Sequence, residues 1–426
     1  MAIRLYETKM EFDYDSSDGS VKKTHVVYIE SDGLYFEGTI YGTGQPGVIV
    51  DIGARSPGSG LSTGDFEFQT DQIAFGSSRL VAKADGSGVI FSGTLGCTLD
   101  SVEPSPLIGT NNGFASGGYV PSFGHSWNDI EKFPIAISSG TATDVGSLSA
   151  ARIGAGGVSS QTDGFTVGGE GPSAPPTNAP IIDKWPFAIS SGTATNVGSI
   201  PAPNAPSSSN SSPTHGFHTI NQPSNNPLAG TIQSFPYSIS SGSTTNVGSS
   251  PPGKAADRSG HSSYTHGYIS GGRGTQSGGD LNQIKVFPFA ISSGSASQHG
   301  TLINKGGKRA GFSSETHGFT GGYEGYPGPS SPPFDVPTTS YSDIEKFPFA
   351  SGTPVSDIGD LGPVGITHAA AISAGSNGLS AGGVTNPGAT AVFTHIYKFP
   401  FAQTSGTATD VGDLAMAKYA AQGHQD

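Results

Sequence analysis

The sequence contains little charge and almost no cysteine. Only 12% of its 426 residues are charged, and 20 basic against 33 acidic residues give a net charge of −13. A nucleic-acid-binding surface needs clustered lysine and arginine, and no such cluster occurs, so we expect no nucleic-acid partner. The single cysteine, Cys97, excludes an internal disulfide framework and fits synthesis in a reducing cytoplasm.

Long hydrophobic runs are also missing. The first residues, MAIRLYETKMEF, lack the apolar core of a signal peptide, and no run of about 18 apolar residues occurs anywhere. We therefore expect no signal peptide and no insertion into a membrane. Apolar residues at a helical spacing are missing as well. Together with the recurring Val, Ile, Phe, Tyr and Thr, this predicts an all-β fold.

What the sequence has in excess is glycine, proline and repetition. Glycine and proline supply 65 and 31 residues, and a segment such as EKFPIAISSGTATDVGSL recurs six times. The aromatic residue before the proline marks each copy, and successive copies are 52, 50, 52, 60 and 52 residues apart. These aromatic residues are Phe133, Trp185, Phe235, Phe287, Phe347 and Phe399. A period of about 50 residues indicates a repeat architecture.

A second marker in each repeat is a turn-forming residue followed by glycine. The residue before the glycine is Asn, Asp or His, the types that most often adopt positive φ. We interpret each pair as a type I′ hairpin turn between the first and second strands. The glycines are Gly113, Gly164, Gly216, Gly267, Gly318 and Gly378. Each repeat is predicted to contain four strands, with the proline near the end of the third, where no N–H is needed.

The spacing of this glycine predicts how the repeats end. Blades are expected to begin near residues 111, 162, 214, 265, 316 and 376. The last repeat stops where a first strand would stop, and the segment near Asn111 begins where that blade would continue. Residues 415–426 are therefore predicted to complete the first blade. Residues 109–426 would form a six-bladed β-propeller closed by strand exchange within one blade, which leaves only short exposed edges.

Residues 1–108 contain none of the repeat markers. Alternating segments such as THVVYIES, LYFEGTIY and GVIVDIG, separated by turns such as Asp32-Gly33, predict short antiparallel strands. About seven strands would form a separate β-sandwich or β-barrel domain. A β domain in front of a propeller suggests one part that attaches and one part that is displayed.

The repeats resemble kelch repeats. Segments such as GGYVPSFGHSWNDIEKFP match the first half of that motif, and Arg152, Arg258 and Arg309 lie near the start of the following blades. The resemblance covers residues 110–426, but the tryptophan usual in the fourth kelch strand is absent, so the repeats are divergent. Such propellers host unrelated activities, so the resemblance implies a fold rather than a function. The amino-acid sequence of the repeats is also similar to that of repeats in virion proteins of marine, cyanophage-type bacteriophages.

No motif predicts catalysis or a cofactor. Residues 42–47 fit a dinucleotide-binding pattern, but a strand rather than a helix is predicted after them. Residues 60–64 fit a nucleophile elbow without its strand-to-helix context. Asp13, Asp15 and Asp18 fit a calcium loop whose glycine is misplaced. We therefore predict a protein that is not an enzyme, with no catalytic residue, no metal and no cofactor.

The histidines before three of the glycines leave one alternative open. His215, His266 and His317 come from consecutive blades, and three imidazoles could together hold a metal ion. Asn and Asp occupy the same position in the other blades, which favours a conformational role instead.

The loops between the second and third strands vary most and are expected on one face of the ring. Variable loops on a rigid scaffold are where recognition residues usually lie. Aromatic residues in the first and fifth of these loops are our candidates for binding a sugar ring or a protein partner. They are Phe123, His125, Trp127, Tyr323, Tyr326, Phe334 and Tyr341. The alternative is that they pack the loops onto the blades.

These observations favour a structural protein of a bacteriophage virion, made in the host cytoplasm. The N-terminal domain would bind other virion proteins. The propeller would bind a host-surface glycan or receptor, as a tail-fibre adhesin does. We expect a homo-oligomer, for instance a trimer. Three alternatives stay open: a capsid decoration protein, a glycan-processing enzyme with a carboxylate pair on the loops, and an intracellular kelch-type interaction module.

Overall fold

The structure is a computed structural model, and the regular elements among its described residues are all β-strands. It consists of two units, Met1–Glu103 and Pro104–Asp426, which we describe separately. Six strands are described in the first unit, and residues 108–426 in the second, except for 173–178, 202–205, 221–227, 229, 251–254, 275–280, 326–338 and 386–390. Among the described residues there is no helix long and apolar enough to cross a bilayer.

The N-terminal unit contains a four-stranded antiparallel sheet and a two-stranded ribbon. The sheet has the order β1 (Ala2–Leu5), β2 (Lys9–Asp15), β3 (Lys22–Glu30) and β4 (Gly33–Glu37). The ribbon pairs β5 (Arg79–Ala82) with β6 (Val89–Ser92). The predicted strand GVIVDIG lies outside the described residues, and the β-sandwich or barrel stays a prediction.

The described part of the second unit contains six four-stranded antiparallel sheets, which we call blades. Blade 1 contains β7 (Asn112–Ser116), β10 (Asp129–Pro134), β11 (Thr143–Ser147) and β36 (Gln422–Gln425). Blade 2 contains β12 (Gly156–Ser159), β13 (Asp163–Val167), β14 (Ile181–Pro186) and β15 (Thr195–Ser199). Blade 3 contains β16 (Pro206–Ser211), β17 (His215–Ile220), β18 (Thr231–Pro236) and β19 (Thr245–Ser249).

The other three blades have the same order. Blade 4 contains β21 (Ser259–Ser262), β22 (His266–Ser270), β24 (Gln283–Pro288) and β25 (Ser297–Thr301). Blade 5 contains β26 (Ala310–Ser313), β27 (His317–Gly325), β28 (Thr339–Pro348) and β29 (Ser356–Asp360). Blade 6 contains β30 (Ala370–Ala374), β31 (Asn377–Ala381), β34 (His395–Pro400) and β35 (Thr409–Asp413). Three short ribbons pair β8 (Tyr119–Val120) with β9 (His125–Ser126), β20 (Ala255–Ala256) with β23 (Arg273–Gly274), and β32 (Val384–Thr385) with β33 (Ala391–Val392).

The innermost strands of the six blades form a closed ring around an axis. In chain order β12, β16, β21, β26, β30 and β36 each contact the next, and β36 contacts β12. A backbone N–H of each strand donates to a side-chain oxygen of the next, in the cycle Ser159, Ser211, Ser262, Ser313, Ser373, Gln425 and back to Ser159. Glycines permit this close approach: a Cβ on Gly157 would lie 2.5 Å from the Gly423 carbonyl oxygen. The ring explains why these strands are rich in glycine and serine.

The aromatic residue before each proline packs between neighbouring blades, as predicted. Trp185 of blade 2 contacts Phe114 of blade 1, with ring centroids 4.9 Å apart. The same contact recurs in the pairs Phe165–Phe235, Phe217–Phe287, Tyr268–Phe347 and Phe319–Phe399. Leu379 takes the place of the ring beside Phe133, where blade 6 meets blade 1. The proline is the last residue of the third strand in every blade, which confirms its predicted place.

The type I′ turn predicted at the glycines Gly113, Gly164, Gly216, Gly267, Gly318 and Gly378 is wrong. None of these six glycines has a positive φ, and each is the second residue of the second strand. Each pairs across the sheet with the aromatic residue before the proline. A Cβ on Gly113 would lie 2.7 Å from the Phe133 ring, and a Cβ on the other five would overlap the ring as well. Glycine is needed because the ring lies across the backbone.

A serine holds the hairpin between the first and second strands instead. In blade 2 the Ser160 N–H donates to the Asp163 carbonyl, and the Ser160 Oγ accepts from the Asp163 N–H at 2.9 Å. Ser212, Ser263 and Ser314 accept in the same way in blades 3, 4 and 5. In blade 1 the Asp426 side chain replaces the serine, because its Oδ1 accepts from the N–H groups of Asn111 and Asn112 at 3.1 and 2.5 Å.

The repeated Ser-Gly segment covers the outer edge of the preceding blade. Ser147 lies on β11, the outermost strand of blade 1. Its N–H donates to the Gly192 carbonyl, and its carbonyl accepts from the Ala194 N–H. Equivalent bonds join Ser199 with Gly242, Ser249 with Gly294, Asp360 with Gly406, and Asp413 with Gly140. An uncovered edge invites pairing with another chain, so the segment protects five of the six blades from such pairing.

Candidate binding surface on the loop face

One face of the propeller carries the connections from the second to the third strand and the segments that lead into the next blade. We call it the loop face. Ribbon β8–β9 lies on it in blade 1, and ribbon β20–β23 joins both kinds of connection in blade 4. In blade 5, strands β27 and β28 extend towards it through the pair Gly325 and Thr339. The serine hairpins and Ser-Gly segments lie on the opposite face.

Three of the predicted binding residues form a cluster that we call the aromatic platform: Phe123, His125 and Trp127. The Phe123 and Trp127 rings are stacked, with centroids 4.8 Å apart and an angle of 12° between the planes. His125 lies 5.5 Å from Trp127 and 6.1 Å from Phe123. Phe123 is 55% exposed. Because the Phe123 and Trp127 rings are in contact, they leave no space between them for a cation. The platform can instead contact a ligand through the exposed Phe123 ring.

Backbone hydrogen bonds hold the platform against blade 1. The Trp127 N–H donates to the Gly118 carbonyl at 2.8 Å, and the Trp127 carbonyl accepts from the Arg152 N–H at 3.1 Å. Gly124 turns the chain within the ribbon with a φ of 70°, a conformation that favours glycine. Trp127 is therefore fixed to the blade, and the exposed Phe123 ring rests on it.

The candidates in the fifth loop differ from one another. Tyr323 is 5% exposed, stacks on Tyr341 at 4.7 Å, and lies 4.2 Å from the Arg309 guanidinium group. Burial raises the pKa of the Tyr323 hydroxyl, which keeps it neutral. Tyr323 thus packs inside blade 5 under a half-buried Tyr341. Tyr326 and Phe334 lie outside the described residues, and their binding role stays a prediction.

Sequence reasoning missed a group of charged residues on the loop face of blades 4 and 5. Glu324 contacts Arg273, and its Oε2 lies 2.7 Å from the Lys308 ammonium group. Asp257 lies 4.0 Å from Arg273. Asp257 and Lys308 each precede the first strand of a blade and have φ of 56° and 60°. The residue type at this position differs from blade to blade. Opposite charges neutralise one another here, so the group is polar without a strong net charge.

Two buried serine–histidine pairs have the composition of a nucleophile and its base. The Ser116 Oγ lies 2.9 Å from His424 Nε2, and His424 Nδ1 lies 3.2 Å from the Val158 carbonyl oxygen. The Ser270 Oγ lies 2.8 Å from His261 Nε2. All four side chains are at most 1% exposed, and burial lowers the pKa of both histidines to about 4. A substrate cannot reach these pairs, so they hold neighbouring strands and blades together.

Two buried carboxylates in blade 1 share one lysine. Lys418 Nζ lies 2.8 and 2.7 Å from the two Asp129 oxygens and 2.5 Å from Glu131 Oε1. Burial raises the pKa of Asp129 to about 7, although the nearby Lys418 ammonium group lowers it. Asp129 and Glu131 are 3% and 0% exposed. Buried and already paired, they are not placed to act on the glycosidic bond of a bound sugar.

The three hairpin histidines each bond to a neighbouring threonine. Nδ1 of His215, His266 and His317 lies 2.9, 2.8 and 2.8 Å from the hydroxyl of the preceding threonine. None of them has a positive φ, so the expected conformational role is wrong; each is simply the first residue of a second strand. In the part of the chain that the structure describes, no group of three His, Cys, Asp or Glu side chains is arranged to hold a metal.

Comparison with solved structures reveals the same architecture in other proteins. The structure of YjhT aligns over 72% of this chain and 99% of YjhT, with a TM-score of 0.55 and 12% sequence identity. The fold is a six-bladed β-propeller. YjhT is one of 161 matching chains, and at this identity the likeness shows the fold alone. No protein-family model and no curated protein matches the sequence.

Proposed function

We propose that the protein is a non-enzymatic structural protein of a bacteriophage virion that binds a host-surface glycan or receptor through its loop face. The aromatic platform carries this proposal. Phe123 is 55% exposed, and its ring stacks on Trp127 with the centroids 4.8 Å apart, so that two aromatic rings and His125 lie together on a loop of the scaffold. Flat aromatic faces stack on the apolar face of a sugar ring and also anchor protein partners.

The virion assignment is supported by the similarity of the repeats to those of marine bacteriophage proteins and by the division into two units. The N-terminal unit would bind other virion proteins, and the assembled protein would be a homo-oligomer such as a trimer. Immunogold labelling of purified particles tests this part. Label on the particle supports the assignment, whereas label confined to the infected cell would favour an intracellular interaction module.

We also infer that the propeller is a divergent kelch-like ring closed by its C-terminal strand. The support is the blade 1 sheet order, β11-β10-β7-β36, in which Gln425 pairs with Gly113. The glycine pairs that end second strands give further support, since Gly117 and Gly118 have φ of 64° and 109°. Only glycine adopts both conformations without strain.

Alanine substitution of the platform tests the binding role. Phe123→Ala and Trp127→Ala should each weaken adsorption to host cells by about tenfold, because central aromatic contacts often contribute 1–2 kcal/mol or more. Tyr264→Ala is the matched control, since Tyr264 is 62% exposed but lies in a serine hairpin on the opposite face. Melting temperatures should be nearly unchanged in all three variants.

Three results would contradict the proposal. Equal adsorption by all variants, with a loss of capsid stability, would indicate a capsid decoration protein. Cleavage of host glycans by the purified protein would indicate an enzyme. An equal loss in the Tyr264 variant would place recognition on the other face.

A further inference from the structure

Lys418, Asp129 and Glu131 form a compact buried triad. Lys418 Nζ lies within 2.8 Å of both Asp129 oxygens and 2.5 Å from Glu131 Oε1. The side chain of Lys418 is fully buried, and those of Asp129 and Glu131 are 5% and 0% exposed. The Glu131 Oε2 accepts from the Ala415 N–H at 2.5 Å, which fixes the second carboxylate in place.

In the corresponding buried ion pairs of other blades the cation is arginine. Arg152 contacts Asp183 in blade 2, and Arg309 lies 3.2 Å from Glu345 in blade 5, all four side chains being fully buried. A guanidinium group stays protonated and is not a nucleophile, so these are permanent ion pairs. Blade 5 also has a second carboxylate, Asp343, at the position of Asp129. In blade 1 the two carboxylates surround a lysine instead of an arginine, and the lysine and Asp129 are 289 residues apart.

The triad has the groups that amide formation requires. A lysine amine is a nucleophile once it loses its proton, and a carboxylic acid is attacked more readily than a carboxylate. Burial raises the pKa of the Asp129 carboxyl to about 7, which favours its acid form. Contact between the reacting groups replaces a bimolecular encounter, which lowers the barrier to reaction.

We propose that Lys418 and Asp129 condense to form an intramolecular amide bond, with Glu131 carrying the protons. Lys418 first gives a proton to the Asp129 carboxylate, which yields an amine and a carboxylic acid. The lysine nitrogen then attacks the Asp129 carboxyl carbon, and Glu131 accepts a proton from the nitrogen and returns it to the departing hydroxyl. One C–N bond forms, one C–O bond breaks, and one water leaves, so no oxidant or co-reactant is needed.

The bond would join the segment before β36 covalently to β10. The buried site also protects the product, because water needed for hydrolysis is excluded from it. A cross-link between residues this far apart restricts the unfolded chain strongly. It would therefore hold the C-terminal segment in blade 1 and keep the ring of blades closed. This chemistry is independent of whether the loop face binds a glycan.

Mass spectrometry of the intact, denatured protein tests the proposal. The wild-type protein should be one water lighter than its sequence, and a protease digest should contain a branched peptide joining Lys418 to Asp129. Wild-type protein of full sequence mass, after prolonged incubation near neutral pH, would overturn the proposal. A branched peptide that joins Lys418 to Glu131 would overturn the assigned roles.

Two variants supply the controls. Lys418→Arg keeps a buried cation, as Arg152 does, and should have its full sequence mass. Glu131→Gln keeps the size of the side chain but cannot carry the proton, so the water loss should slow at least tenfold. Asp-Gly and Asn-Gly sites can also lose mass by cyclisation. A mass deficit that persists in Lys418→Arg would therefore place the loss elsewhere and overturn the proposal.

Discussion

Three histidines lie in the propeller interior in their neutral form: His218, His261 and His424. Each is at most 1% exposed, and burial lowers the pKa to about 3 for the first and about 4 for the other two. A histidine in an unfolded chain titrates near 6.5. Below that pH the unfolded chain binds protons that the folded chain does not. Their contribution to stability is therefore complete above pH 6.5 and is lost as the pH falls towards their folded pKa values.

We expect the melting temperature to fall between about pH 7 and about pH 4.5, and to fall less in His218→Thr. Thr166 and Thr320 occupy the same position in blades 2 and 5, and neither His218 nitrogen has a hydrogen-bond partner among the described residues. In protein whose Asp129 has not reacted with Lys418, Asp129 acts in the opposite direction, because its raised pKa makes its contribution decline as the pH rises towards 7. Thermal melts across this range provide the measurement. Parallel curves for parent and variant would rule out His218 as a source of the acid sensitivity.

At the scale of strands, the recurring unit is a glycine opposite an aromatic ring. Gly164 pairs with Trp185 across blade 2, and a Cβ there would overlap the indole ring. The ring also contacts Phe114 of blade 1 at 4.9 Å. One cross-strand pair therefore joins two strands and two blades, which explains why both residue types recur in every repeat.

Gly164→Ala should destabilise the propeller by about 1–3 kcal/mol, the usual cost of overpacking. The same substitution in a Trp185→Ala background should cost almost nothing, because the overlapping ring is gone. Chemical denaturation of the four proteins of this double-mutant cycle gives the coupling free energy. An equal cost in both backgrounds would mean that Gly164 is needed for its backbone conformation instead.

The sequence predicted the strands better than the turns. The proline and the aromatic residue of the third strand were placed correctly, because a missing N–H and a large apolar ring each allow few positions. The prediction at Asp163 is wrong, because its Asp-Gly sequence is typical of a type I′ turn but begins a strand here. A single repeat cannot distinguish a glycine that needs positive φ from one that makes room for Trp185, because the ring belongs to a distant segment.

The whole ring depends on a blade built from distant parts of the chain. Strand β36 pairs with β7, and Gln425 both donates and accepts in the axial cycle of hydrogen bonds. Asp426 completes the hairpin, with its Oδ2 accepting from Asn112 Nδ2 at 2.7 Å. Losing these contacts would uncover the β7 edge and break the axial cycle.

Deleting residues 422–426 should lower the melting temperature strongly, because it removes a whole inner strand. Asp426→Ala should cost about 1 kcal/mol, as the loss of a capping side chain does, and Asp426→Ser should recover part of it. Serine holds the hairpin in four other blades, so it is the natural replacement. Differential scanning calorimetry distinguishes the three variants. A deletion that melts like the parent would show that the ring does not need β36.

The candidate site was predictable only in part. Phe123, His125 and Trp127 could be found because they are aromatic residues in a loop of variable length. That Tyr323 is buried under Tyr341, while Phe123 is exposed, depends on how each loop folds back onto its blade. The charged group around Glu324 unites residues of the neighbouring blades 4 and 5, and the triad around Lys418 unites the first and the last repeat. No spacing within one repeat marks either group.

The sequence by itself determined the six-bladed architecture, since a period of about 50 residues with four strand signals per copy can bury its apolar faces only against neighbouring copies. It also determined which residues pack between blades, because Phe133 and its five equivalents recur at that period. Only the tertiary structure decided why the glycines recur, which polar groups are buried, and which aromatic residues face solvent. These properties arise from contacts between segments about 50 or nearly 300 residues apart, and local sequence does not specify such contacts.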